Sequence, residues 1–283
     1  MEYIIGAHMP ITGGLKRSAE RAKELGFRAF QIFTRNPRGW SYPELSEEEA
    51  EEFVSATEGF ISVNSHMPYL PNLASPNDET FEKSVESLIE EMKRAKKLKI
   101  KYVVAHVGSH LGAGIEAGKE RVRKAVSRAL ESVSCDCYVL LENMAGQKNS
   151  VGSRFEDLGD IIRGINDDRV GVCFDTCHAF AAGYDIATRT GLKKAMDELD
   201  RHVGLRRVML IHLNDSKGGL ASGLDRHERI GKGFIGRKGF ENFLTARELI
   251  EGRPMILETP VNDYHEYADD YSVLQGILRK LNA

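Results

Sequence analysis

Short, nearly uninterrupted apolar runs recur eight times along the chain, and a longer stretch with helically spaced apolar residues follows each one. The runs are YIIGA (3–7), FRAFQIF (27–33), FISVNS (60–65), KYVVAH (101–106), CYVLLE (137–142), VGVCFD (170–175), RVMLIH (207–212) and PMILE (254–258). Most are continuous rather than alternating, which suits strands covered on both faces of a parallel sheet. The intervening patterns predict helices at about 14–25, 46–58, 78–98, 115–133, 154–165, 190–202, 237–251 and 265–281. A serine or asparagine followed by acidic residues, in SEEE and SPNDE, marks two helix starts. Eight such units in 283 residues predict one α/β domain over 1–283, a (β/α)8 TIM barrel, because a doubly wound sheet usually stops at five or six strands. No Gly/Ser-rich linker or shift in composition divides the chain.

Composition narrows the function only by exclusion. A formal net charge of -3 argues against a general nucleic-acid coat while leaving room for a local basic groove. The start, MEYIIGAHMP, lacks the basic and long apolar regions of a signal peptide, and no run reaches the ~18 apolar residues of a membrane helix. The expectation is a soluble, cytoplasmic protein. Cys135, Cys137, Cys173 and Cys177 are too few and too unevenly spaced for a disulfide framework or a four-thiolate zinc site, so free thiols are expected.

In a TIM barrel the chemistry lies at the C-terminal ends of the strands, where the following loops share one face. Six successive strands deliver an imidazole or carboxylate there: His66 (NSHMPYL), His106 (VAHVGSH), Glu142 (LLENMAGQ), Asp175 with His178 (FDTCHAF), His212 (IHLNDSK) and Glu258 (LETP). A lone histidine at a strand end is more often structural than a ligand. A carboxylate directly after YVLL, GVCF or MIL, however, sits at the mouth of an apolar barrel and needs a partner or a metal. After the seventh strand, residues 213–237 show no period, far beyond the ~2–6 residues of an ordinary βα loop. That segment contains GLDRHERIGKGFIG, in which Asp225 and His227, two apart on extended chain, point to one side. Mixed imidazole and carboxylate donors favour zinc, with manganese or iron as substitutes, over calcium or magnesium.

The chain resembles the endonuclease IV family of apurinic/apyrimidinic endonucleases over nearly its whole length. The most specific stretches are FDTCHAFAAGYD, HLNDSK, DRHERIGKGFIG, LENMAGQ and LETP. The resemblance implies a TIM barrel with three zinc ions. His66, His106 and Glu142 would hold the first. Glu142 would bridge to a second held by Asp175, His212 and Glu258, and His178, Asp225 and His227 would hold the third. The implied reaction is that of a deoxyribonuclease IV: hydrolysis of the phosphodiester 5′ to an abasic site in double-stranded DNA, leaving a 3′-hydroxyl and a 5′-deoxyribose phosphate. A 3′-end trimming phosphodiesterase activity accompanies it. Zinc suits this chemistry because it activates water near neutral pH and neutralises the departing oxygen. Glu142 and Glu258 are the implied catalytic carboxylates, Glu142 orienting the attacking group.

The resemblance also places Asn36, Arg38, Tyr69 and Leu70 on DNA, filling the gap at the extruded sugar or lining the minor groove. Pro37 stands where a polar residue is expected, and Trp40, the only tryptophan, reads as a loop anchor. Arg226 is expected to face phosphate, and Arg35, Lys148, Lys217, Arg229 and Lys232 add cations to the same face. Gly231, Gly233 and Gly236 would let the loop turn sharply and approach DNA. A monomer is expected, with no membrane partner. Two other readings compete. A metal-dependent sugar isomerase or epimerase could use Glu142, Asp175, His212 and Glu258 but has no need of the other five ligands. A non-catalytic protein binding damaged DNA needs neither a shared carboxylate nor three ions.

Overall fold

The computed structural model describes residues 3–282. Its barrel strands are β1 (Ile4–His8), β2 (Ala29–Ile32), β3 (Ser62–His66), β4 (Tyr102–His106), β5 (Tyr138–Glu142), β6 (Val170–Asp175), β7 (Val208–His212) and β10 (Pro254–Leu257). All pair in parallel, and β1 closes the barrel between β2 and β10. The helices are α1 (Leu15–Glu24), α2 (Glu47–Ala56), α3 (Asp78–Lys97), α4 (Ile115–Ser132), α5 (Phe155–Ile165), α6 (Thr176–Ala181), α7 (Arg189–His202), α8 (Gly236–Phe243), α9 (Arg247–Ile250) and α10 (Tyr267–Asn282). Ser46 and Asn77 cap α2 and α3 as expected, accepting from Glu49 N at 3.0 Å and Thr80 N at 2.8 Å. Among the described residues no helix is long and apolar enough to cross a membrane.

Three local expectations are corrected. The helix expected at 237–251 is broken into α8 and α9, with Thr245 Oγ1 donating to Asn242 O at 2.6 Å in the gap, a side-chain bond that competes with helical pairing. The aperiodic segment after β7 is ordered: β8 (Asp215–Ser216) and β9 (His227–Glu228) form an antiparallel ribbon within it. Cys135 and Cys137 are joined in a disulfide rather than free, their Cα atoms 5.3 Å apart, within the span such a bridge requires. Cys173 and Cys177 are free, as expected, and both are buried.

Strand periodicity of two builds the barrel interior in layers. Ile4, Ala29, Val104, Leu140, Cys173, Leu210 and Ile256 form one buried apolar cluster, with Tyr102 and Tyr138 packed against it. Two residues further along, the same face carries Gly6 on β1 and then Gln31, His106, Glu142, Asp175, His212 and Glu258 on the other six strands. A larger apolar cluster, including Phe30, Val103, Leu141, Phe174, Ile211 and Leu257, lies between the strands and the helices. Each buried leucine or valine contributes about 1.5–3 kcal/mol. That reserve offsets the cost of a polar layer at the mouth.

Candidate metal centre

The polar layer is a consequence of register. Strand pairing sets His106 beside Glu142 and Asp175 beside His212, so side chains from four strands meet above one apolar floor. His66, Glu142, Asp175, His178 and His212 are all buried. Asp175 has a second task as the N-cap of α6, its Oδ1 accepting from His178 N at 2.6 Å. The helix start thereby holds both side chains at the barrel mouth.

Ligand-type atoms gather in groups that each fit within 4.8 Å. In the first, Glu142 Oε2 lies 3.2 Å from Nε2 of His66 and 3.2 Å from Nε2 of His106. Glu142 Oε1 belongs to the second, 3.0 Å from His212 Nδ1, which is also 3.1 Å from Glu258 Oε2 and 4.0 Å from Asp175 Oδ2. The third unites His178, Asp225 and His227, with His178 Nε2 3.0 Å from Asp225 Oδ1. Asp175, Cys177 and His227 form a further group. Burial pushes the Cys177 thiol up to about 12, and its Sγ donates to Arg226 O at 3.6 Å.

Outer hydrogen bonds aim the imidazoles inward. A carbonyl oxygen can only accept, so the ring nitrogens facing one carry hydrogen. His66 Nδ1 donates to Met67 O at 2.6 Å, His178 Nδ1 to Asn143 O at 2.9 Å, and His227 Nδ1 to Glu258 O at 3.1 Å. Gln31 Nε2 donates to Glu258 Oε1 at 2.7 Å, which turns Gln31 Oε1 toward His212 Nε2 at 2.9 Å. The opposite nitrogen of each ring therefore faces the carboxylates, in the position from which it would bind a metal. His227 Nε2 is buried with no hydrogen-bond partner. An orphaned nitrogen among carboxylate oxygens fits a metal, and the donor set is the imidazole and carboxylate mixture that zinc takes.

The electrostatics of the protein alone point the same way. Burial opposes the charge on Glu142, yet the imidazoles of His212 and His106, with hydrogen bonds from His106 and His178, hold its carboxyl well below the usual range. Burial likewise opposes protonation of His178, and Asp175, Asp225 and Glu142 overcome it to raise that imidazole well above its ordinary value. Buried carboxylates here require positive charge, supplied by imidazolium or by metal cations.

Several supporting residues were not singled out from the sequence. Besides Gln31, Asn214 donates from Nδ2 to Asp175 Oδ2 at 2.7 Å and accepts on Oδ1 from Glu258 N at 2.8 Å. Asn143 accepts from Asp175 N at 2.7 Å, and His8 Nδ1 lies 3.0 Å from Gln31 Nε2. The signal was available: Gln31 interrupts the apolar run FRAFQIF, and Asn143 and Asn214 lie within two residues of Glu142 and His212.

Of the residues expected to touch DNA, Asn36, Arg38, Tyr69, Leu70 and Arg226 are exposed at the rim. Tyr69 N donates to Pro37 O at 3.2 Å, joining the loops after β2 and β3, and the Tyr69 ring centroid lies 6.3 Å from that of His66. Lys148, Lys217 and Lys232 are also exposed. Arg35 and Arg229 are not free cations. Arg35 is buried, donating to Gly39 O at 2.7 Å and Ser87 Oγ at 2.9 Å. Arg229 pairs with Asp270 at 2.7 Å, Asp269 at 3.3 Å and Glu266 at 3.4 Å. The glycines also serve a different end. Gly231 and Gly236 have positive φ (81° and 67°), but their amides, with that of Gly233, turn inward onto Asp215.

Residues 19–280 match a family described as a xylose isomerase-like TIM barrel. A protein of Cenarchaeum symbiosum named "Probable endonuclease 4" is 50% identical over 266 residues, 92% of this chain and 94% of that one. The crystal structure of endonuclease IV from Thermus thermophilus superposes with a TM-score of 0.86 at 39% identity, covering 98% of this chain and 99% of that one. A D-tagatose 3-epimerase-like protein, at 21% identity and a TM-score of 0.74 over 98% of each chain, shares the fold.

Proposed function

Because the chain belongs to the endonuclease IV family, we propose that it is a zinc-dependent deoxyribonuclease IV acting on abasic sites in duplex DNA. The reaction is hydrolysis of the phosphodiester 5′ to the lesion, leaving a 3′-hydroxyl and a 5′-deoxyribose phosphate, with trimming of blocked 3′ ends by the same chemistry. Residues 1–283 act as one catalytic domain.

The observation that carries this reading is the junction at Glu142, whose two oxygens face different groups of donors. In this assignment His66, His106 and Glu142 hold one zinc ion, Glu142, Asp175, His212 and Glu258 a second, and His178, Asp225 and His227 a third. Zinc bound there supplies Lewis acidity, making water nucleophilic near neutral pH and neutralising charge on the phosphate and departing oxygen. The protein's own groups do the rest. Glu142 and Glu258 orient the attacking oxygen along the line of the scissile bond. Tyr69 and Leu70 enter the duplex where the abasic sugar leaves the stack, while Asn36, Arg38 and Arg226 hold the flanking backbone. An isomerase requires no third group, and here a long loop brings Asp225 and His227 to His178 on α6.

The test is a duplex oligonucleotide carrying one tetrahydrofuran abasic analogue, incubated with the zinc-loaded protein. A single nick on the 5′ side is expected. An intact strand, or cleavage on the 3′ side, contradicts the assignment.

A further inference from the structure

The loop that carries Asp225 and His227 is long, and its middle has little apolar burial: Leu220, Leu224 and Phe234 are exposed, while Ile230 and Ile235 reach the core. Two buried carboxylates outside the proposed ligand set grip it as well. Asp215, fully buried in β8, accepts from five backbone amides: Ser216 at 2.8 Å, Gly231 at 2.9 Å, Gly233 at 3.0 Å, Ile235 at 3.0 Å and Gly236 at 3.2 Å. Both oxygens meet only N–H donors, so the group acts as an internal anion around which residues 231–236 wrap. Contact is close enough that a Cβ on Gly233 would come within 2.4 Å of Ser216 O and 2.5 Å of Asp215 Oδ1.

Asp270, buried on α10, grips the preceding turn. It accepts from Arg229 Nε at 2.7 Å, from Ile230 N at 3.0 Å and from Thr259 Oγ1 at 2.6 Å. Thr259 follows Glu258, so this carboxylate also ties the loop to the end of β10. Immediately before the stretch that Asp270 holds runs β9, where His227 pairs with Ser216 and Glu228 with Asp215. Neither carboxylate belongs to a metal group, yet every residue from 227 to 231, the candidate ligand His227 included, is fixed by this arrangement.

We propose that Asp215 and Asp270 are positioning residues that set His227, and through it Asp225, in register with His178. The role in metal binding rests on the functional reading above, whereas the fixing of the loop does not. An anion buried among amides keeps its shape without a metal, so the third group is preorganised rather than assembled by the ion.

The experiment compares Asp215→Asn, Gly233→Ala and Asp270→Asn with wild type and with Asp269→Ala, an exposed control. Hydrogen exchange in the metal-free protein reads the loop, and zinc retained against a chelator reads the site. In the first three variants exchange across 227–236 should quicken about tenfold or more while the barrel strands stay unchanged. The zinc-loaded forms should then lose one ion per chain at a chelator concentration that wild type resists. Asp269→Ala should match wild type in both. Exchange across 227–236 within about twofold of wild type in Asp215→Asn and Gly233→Ala overturns the proposal. So does a rise spread evenly over the barrel strands, which would mark general destabilisation. Should Asp215→Asn not fold, Gly233→Ala decides alone, since it displaces the loop and keeps the carboxylate. If wild type binds no third ion, the functional reading fails while the exchange data still decide the loop.

Discussion

Gln31 on β2 donates from Nε2 to Glu258 Oε1 at 2.7 Å, linking the end of the second barrel strand to that of the last. The same amide accepts from His212 Nε2, leaving Nδ1 of that ring facing Glu142 and Glu258. One neutral side chain thus sets the tautomer of His212 and the rotamer of Glu258. Gln31→Leu keeps the size but removes both bonds, together with the contact to His8 Nδ1. It should weaken zinc binding about 10- to 100-fold, the usual effect of losing such outer support, measured by chelator competition with folding followed by circular dichroism. Unchanged affinity would show that the barrel alone orients His212.

The barrel was legible because its signal is redundant: eight apolar runs and eight amphipathic stretches, each boundary found within two residues except where Thr245 breaks the helix before β10. The site was legible for a related reason. In a barrel the C-terminal strand ends share one face, and a carboxylate directly after an apolar run there lies at the mouth, so Glu142, Asp175 and Glu258 could be placed from the sequence. What could not be read was the use of non-local partners. Arg35 and Arg229 look like rim cations in sequence, and only tertiary contacts with Ser87 and Asp270 remove them from that role. The inward turn of Gly231, Gly233 and Gly236 depends likewise on Asp215, some twenty residues earlier.

Arg226 and Arg229, three residues apart, should behave as opposites. Arg226 is exposed beside the third group, and Arg226→Ala should weaken DNA binding evenly across sequences, lowering the slope of log affinity against log salt by about 1. Arg229→Ala should cost stability, because it leaves Asp270 buried and short of a cation. Titration of duplex binding over a salt series, alongside thermal melts, separates the two effects.

Tyr69 and Leu70 are 59% and 41% exposed at the rim and touch no proposed ligand atom by hydrogen bond. Replacing either with alanine should leave the zinc content unchanged while reducing cleavage of a duplex lesion. A loss of about 1–3 kcal/mol is expected for Tyr69, the scale of a base-stacking contact. A lesion in flexible single-stranded DNA should be affected less, as it needs no wedge.

Glu91 on α3 supplies a pH dependence remote from the metal groups. Burial pushes its carboxyl up to about 7, despite a hydrogen bond from Thr34 and the guanidiniums of Arg94 and Arg35. The unfolded chain releases that proton near its ordinary value, so the folded state binds more protons in between. Its contribution is full below about pH 4.5 and is lost as pH rises to about 7, a change on the order of 3 kcal/mol. Urea unfolding from pH 4.5 to 8 should therefore show wild type losing stability relative to Glu91→Gln. Parallel profiles would place the group at an ordinary pKa.

Zinc titration into the metal-stripped protein, with nicking of the abasic duplex followed at each step, tests the three-group centre most directly. Nicking should stay near background through the first equivalents and reach its full rate only as about three ions per chain are bound. Full activity at one equivalent, or in the stripped protein, would contradict a reaction that needs His178, Asp225 and His227.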